Sequence, residues 1–90
     1  MQSNPDLQKL RVLESKFNLS ILLFILQKGT TSKMDLYNNI SRNPRMPEKQ
    51  RELEELELLT VNTHDRISEI RLTDKGEKVA EKIMDIACEL

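Results

Sequence analysis

The chain has little of what most catalytic and metal sites are made from. Its 90 residues include one cysteine, one histidine, two glycines and no tryptophan. A lone cysteine, Cys88, excludes an internal disulfide and suits a reducing compartment. Its simplest reading is a small buried apolar residue on a helix. Cys88 and His64 are too few for a zinc site of thiolate or imidazole ligands. Gly29 and Gly76 stand far apart, so no phosphate-cradling glycine loop exists. Glu52, Glu54, Glu55 and Glu57 follow helical spacing without a partner base, and read as a solvated face, not an acid/base pair. No catalytic residue, cofactor or metal is expected. Aromatic residues are only 3%, so the core must be aliphatic. The apolar run Leu19 to Leu26 is shorter than the roughly 20 residues a membrane span needs. It follows Asp6 and Glu14 and lacks a small-residue cleavage pattern, which argues against a signal peptide. A soluble cytoplasmic protein is expected. Neither charge sign dominates: Lys plus Arg is 14, Asp plus Glu is 15, and the formal net charge is -1. Any attraction to nucleic acid must therefore come from a local patch.

One stretch organises what is present: Asn43 to Leu59, NPRMPEKQRELEELELL. It reads as a helix that starts either with Asn43 as N-cap and Pro44 in the first turn, or at Pro47. Met46, Leu53 and Leu56 share a packing face. Glu48, Arg51 and Glu55 lie opposite. Arg42, Arg45, Lys49 and Arg51 make the first half basic, and the four glutamates make the second half acidic. That order opposes the helix macrodipole, which favours acids first and bases last. Either a polyanion sits at the basic half, or Arg51 forms i,i+3 and i,i+4 pairs with Glu48, Glu54 and Glu55 on a solvated face.

The length predicts a single domain spanning 1–90. Asn4-Pro5 is a start signal, and Leu7, Leu10, Leu13 and Phe17 recur at helical spacing over 5–17. That apolar stripe needs cover from the core or from another subunit. Asn18 is placed to interrupt this helix and cap a central buried one, Leu19 to Lys28, ended by Gly29. Thr30-Thr31 suits a minimal strand. Ser32 with Asp35 has capping-box spacing for a short helix, Lys33 to Asn39. A start at Asn43 then leaves a short helix-turn-helix connection, and a start at Pro47 a longer one. Leu59, Val61 and Thr63 alternate with polar residues, Thr63 to Arg66 is turn-like, and Ile67 to Leu72 returns. This is a two-stranded hairpin. Thr73 caps a final helix, Asp74 to Leu90. The expected core is Leu23, Ile25, Leu26, Leu36, Ile40, Leu53, Leu56, Ile70 and Leu72.

Three helices, a hairpin and a helix, with LEELELLTV entering the hairpin and Leu72-Thr73-Asp74-Lys75-Gly76 leaving it, resemble the winged helix-turn-helix family. The layout is similar to MarR-like, PadR-like and small archaeal winged-helix regulators. The resemblance covers roughly Leu19 to Leu90. It implies a mainly α fold with a small β-hairpin: helix-turn-helix and wing over 19–72, then a long C-terminal helix over 73–90. It also implies that 43–59 contains the recognition helix, entering the major groove by its N-terminal half. Arg42, Arg45, Lys49, Gln50 and Arg51 would then face phosphates and base edges. Ser32 and Lys33 would meet phosphate at the preceding helix. Arg66 would reach a phosphate or the minor groove from the wing tip. His64 is either an exposed turn residue or a further phosphate contact. Two positions differ from the family pattern. Lys49 stands where an apolar residue is common, and Glu57 where glycine is common.

The terminal helix carries Gly76, Val79, Ile83, Ile86 and Leu90 at heptad spacing. They form a subunit seam with Leu10 and Leu13, or else pack on Leu10, Leu13 and Phe17 of the same chain. The expected function is a DNA-binding transcriptional regulator acting as a homodimer on double-stranded DNA. The alternative is a winged-helix module that binds a protein partner without DNA.

Overall fold

The computed structural model describes residues 6–90, so Asn4 and Pro5 lie outside the described residues. The first helix, α1 (Leu7–Glu14), is capped by Asp6, whose carboxylate accepts from the Gln8 and Lys9 amides at 2.9 and 3.4 Å. It is shorter than 5–17 because the chain breaks at Ser15 and turns through Phe17 in the left-handed region, φ 76°. Asn18 is the first residue of α2 (Asn18–Lys28), not its cap: its side-chain amide donates back to the Val12 carbonyl at 2.6 Å. Gly29, at φ 83°, ends α2 as the sequence predicts.

Next come β1 (Thr30–Ser32), α3 (Lys33–Asn39), α4 (Met46–Glu55), β2 (Leu59–His64), β3 (Ile67–Leu72) and α5 (Asp74–Glu89). The minimal strand expected at Thr30-Thr31 forms, and the sheet has three strands. That strand pairs antiparallel with the outer side of the hairpin, giving the order β1-β3-β2. A three-residue strand is stable only through its partner, and that pairing is not written in the local sequence. Ser32 caps α3 by accepting from the Asp35 amide at 3.1 Å.

The helix α4 starts at Met46, close to the later of the two candidate starts, and ends at Glu55. The Asn43 signal is used in a turn: its Oδ1 accepts from the Arg45 amide at 2.8 Å and its carbonyl from Met46 at 3.0 Å. The α3–α4 connection therefore runs through residues 40–45, longer than a tight helix-turn-helix turn. At its other end α4 closes in a Schellman motif. The Leu58 amide donates to the Leu53 carbonyl at 3.0 Å, the Glu57 amide to Glu54 at 2.8 Å, and Glu57 takes φ 61°. This is the position where glycine is common.

The core lies between α2, α4, the sheet and α5. Ile21, Leu22, Ile25, Leu36, Met46, Leu53, Leu58, Leu59, Ile70 and Ala80 are buried. Of the expected core, Ile25, Leu36, Leu53 and Ile70 are fully inside, and Leu26, Ile40, Leu56 and Leu72 pack half-buried against it. Leu23 is half-buried, while Ile21 and Leu22 take the innermost places on α2. The architecture is a winged helix-turn-helix: mainly helical, with a small antiparallel sheet and a C-terminal helix after the wing.

The join between wing and α5 explains the Leu-Thr-x-x-Gly sequence. The Thr73 amide donates to the Leu58 carbonyl at 3.0 Å, and its hydroxyl donates to the Glu57 carbonyl at 2.6 Å. The same hydroxyl accepts from the Gly76 amide at 2.9 Å as the N-cap of α5. Lys75 Nζ adds a bond to the Leu56 carbonyl at 3.0 Å. Carbonyls left free by the end of α4 are thus taken up by the start of α5.

Candidate nucleic-acid interface

The α3 N-terminus, the start of α4 and the wing tip meet on one surface. Lys33 marks the meeting point. It lines one hollow with Tyr37, Met46, Pro47 and Gln50, and a second with Ser32, Met34, Arg66, Ile67 and Ser68. It therefore lies between the start of α4 and the wing. The pairing of Ser32 with Glu69 across the β1–β3 ladder fixes the α3 N-terminus beside the wing.

The wing closes on a two-residue turn, Asp65-Arg66, between the paired His64 and Ile67. Both turn residues have positive φ, 51° and 67°, as in a type I′ turn. Arg66 and His64 are exposed. Arg42 is exposed and reaches Asn38 of α3 at 3.4 Å. Arg45 sits at the N-cap of α4 and Arg51 on its outer face, both exposed. Among the described residues the ion pairs are Lys28–Asp35 at 3.7 Å and Glu69–Arg71 at 3.0 Å. Lys33, Arg42, Arg45, Arg51 and Arg66 therefore have no carboxylate within 4.0 Å among the described residues, and the Arg51 pairs allowed by spacing do not form.

Two residues of the expected surface are placed differently. Gln50 is only 7% exposed, packed with Met46 and Leu53 on the inner face of α4. The spacing 46, 50, 53 is itself the signal, since those positions share one helical side. Lys49 is half-buried, and its ammonium donates to the Ser15 hydroxyl at 2.9 Å. At the acidic end of α4, Glu54 and Glu57 border a different hollow, with Thr73, Asp74 and Lys75.

The expected seam residues divide. Val79 and Ile83 pack half-buried on the chain's own core, whereas Ile86 is 62% exposed and Leu90 fully so. Every residue from Asp85 to Leu90 is exposed, Cys88 included, so the end of α5 stands clear of the domain. Cys88 is thus not a buried residue. Helix α1 has no buried residue, and Leu10 and Leu13 meet Leu56, Leu58 and Val79 around a cleft of about 250 Å³. Among the described residues, no group of three His, Cys, Asp or Glu side chains is arranged to hold a metal ion. No described helix is long and apolar enough to cross a membrane.

No protein-family model matches the chain, and no curated protein matches it. Among solved structures, the chain is similar to a transcriptional regulator homologue from Pyrococcus horikoshii OT3. The TM-score is 0.72 at 19% identity, over 83% of this chain and 79% of that one. At that identity the likeness shows the fold.

Proposed function

We propose that this protein is a DNA-binding transcriptional regulator that acts in the cytoplasm as a homodimer. The first half of α4 and the 40–45 turn enter the major groove, and the wing tip lies along the adjacent backbone. The observation that carries this reading is the set of five exposed cations without carboxylate partners among the described residues: Lys33, Arg42, Arg45, Arg51 and Arg66. They come from α3, the 40–45 turn, α4 and the wing; Glu48 is the carboxylate in the first turn of α4, while Glu54 and Glu57 lie toward α5. This local patch supplies what a net charge of -1 does not. In this reading Arg45 and Arg51 contact base edges, and Lys33, Arg42 and Arg66 contact phosphates, with Ser32 and His64 at the margin. Subunits pair through the free end of α5 and through α1, using Ile86, Leu90 and Leu10, with Leu13, Val79 and Ile83 supporting the helices from below.

A second reading, a winged-helix module for a protein partner, is favoured by Met34 and Ile67. They are 65% and 59% exposed within the same surface. Salt titration of binding to random-sequence and genomic DNA separates the two. Steep salt dependence is the outcome expected for DNA. Absence of binding at low salt favours the protein module.

A further inference from the structure

The α1–α2 joint is held by several bonds. The Ser15 amide donates to the Arg11 and Val12 carbonyls at 3.1 and 3.2 Å, and its carbonyl accepts from Asn18 at 3.1 Å. The Asn18 side chain is fully buried and donates to Val12 at 2.6 Å. The Ser15 hydroxyl is therefore an acceptor on a fixed backbone. Lys49, 34 residues away on α4, donates to it at 2.9 Å. Lys49 precedes the buried Gln50 and lies one turn before Leu53, which is completely buried. Its stem follows the packed side of α4, and its charge points to the joint while Arg45 and Arg51 point to solvent. A lysine engaged this way cannot extend to phosphate without breaking the bond to Ser15.

We infer that Lys49 is a positioning residue: through Ser15 it fixes α4 against the α1–α2 joint and so sets how Arg45 and Arg51 are presented. This rests on the DNA-binding reading. The bond also links the recognition helix to α1, so the orientation of α1 and the presentation of α4 are set together.

The test uses the full chain, the duplex recovered by selection from a random-sequence library, and a duplex of unrelated sequence. Lys49→Met and Ser15→Ala should each weaken binding to the selected duplex by up to about tenfold, because one charge-assisted hydrogen bond biases the competent orientation. The double variant should lose no more than either single one. Ser15→Thr, which keeps the hydroxyl, should bind as wild type. The salt slope should stay unchanged throughout. A slope flattened by about one in Lys49→Met, with Ser15→Ala binding normally, makes Lys49 a phosphate contact and overturns the inference. Additive losses overturn it too. If wild type binds neither duplex, the functional reading fails, and amide hydrogen exchange on the free protein decides the positioning role alone. Ser15→Ala and Lys49→Met should then accelerate exchange in α4 to the same extent. Unchanged exchange in α4 of Ser15→Ala overturns it.

Discussion

A Cβ on residue 76 would collide with the carbonyl oxygen of Leu58, and would also lie within 2.8 Å of its carbonyl carbon. Gly76 thus lets the first turn of α5 lie directly on the backbone that leaves α4. The obstruction is backbone held by Thr73, so a side chain cannot swing aside to relieve it. In a free helix Gly→Ala stabilises by about 1 kcal/mol. Here Gly76→Ala should destabilise by at least about 1–3 kcal/mol through overpacking. A lowered urea midpoint at unchanged m-value is the expected result, and a raised midpoint contradicts this packing.

The opposite sign is expected at Glu57, the residue before Leu58. Its φ of 61° is left-handed, and its side chain is exposed. A residue with a Cβ pays roughly 1–2 kcal/mol there, and glycine loses some of that gain to its unfolded-state entropy. Glu57→Gly should raise stability by about 0.5–1 kcal/mol without altering DNA affinity, because residue 57 lies at the far end of α4. Paired denaturation and binding curves check both halves of that statement.

These two positions show what was legible in the sequence. Helix starts and stops written in short-range chemistry were readable: Ser32 with Asp35, Gly29, and Thr73 before Gly76. The hairpin was readable from alternation. Signals that depend on a distant partner were not. Thr30-Thr31 was readable as a minimal strand, but its pairing with the edge of β3 was not. Asn43-Pro44 is as good a helix start locally as the one found at Met46, and the choice was made by the turn bonds of Asn43. Polarity hid the inward placement of Gln50, although its spacing from Met46 and Leu53 gave it. Lys49 is tied to Ser15 by a contact across 34 residues that no local pattern contains.

Within the basic surface, Arg51 and the flanking cations should differ in kind. Arg51 is exposed on the outer face of α4, whereas Lys33 and Arg66 belong to α3 and the wing turn. Arg51→Ala should cost about 1–3 kcal/mol on the selected duplex and less on unrelated DNA. Arg66→Ala and Lys33→Ala should weaken both duplexes alike and lower the salt slope by about one each. Equal, small effects from all three would remove sequence reading from this surface and favour a protein partner.

The wing tip offers a gain-of-function test. Asp65 sits at φ 51° beside Arg66 and places a carboxylate where the backbone of DNA should pass. Asn tolerates the left-handed region well and carries no charge. Asp65→Asn should leave the fold intact and tighten binding to selected and unrelated duplexes by roughly 0.5–1 kcal/mol at low salt, fading as salt rises. Fluorescence anisotropy across a salt series gives the answer. Unchanged affinity at low salt means that the wing does not approach DNA.

The apolar stripe of α5 is packed along its first part and exposed along its last, and two substitutions separate the two parts. Gly76 and Ala80 are buried, and Val79 and Ile83 pack half-buried on the chain's own core. Beyond Asp85 every side chain is exposed, yet Ile86 and Leu90 continue the same stripe. An isolated helical end of this kind gains stability from an apolar cover. The neighbouring α1 leaves Leu7 and Leu10 at 60% and 45% exposure. A second copy of the chain would cover both groups, and the pairing would double the few base contacts one short recognition helix can make. Ile83→Asp should therefore unfold or strongly destabilise the domain, because its carboxylate would be pressed against the core without a partner. Ile86→Asp should leave the circular dichroism spectrum unchanged and convert a micromolar homodimer to monomer. Light-scattering mass measured beside the spectrum distinguishes the cases. A wild-type monomer, or an Ile86→Asp variant that stays dimeric, rules out pairing through this end of α5.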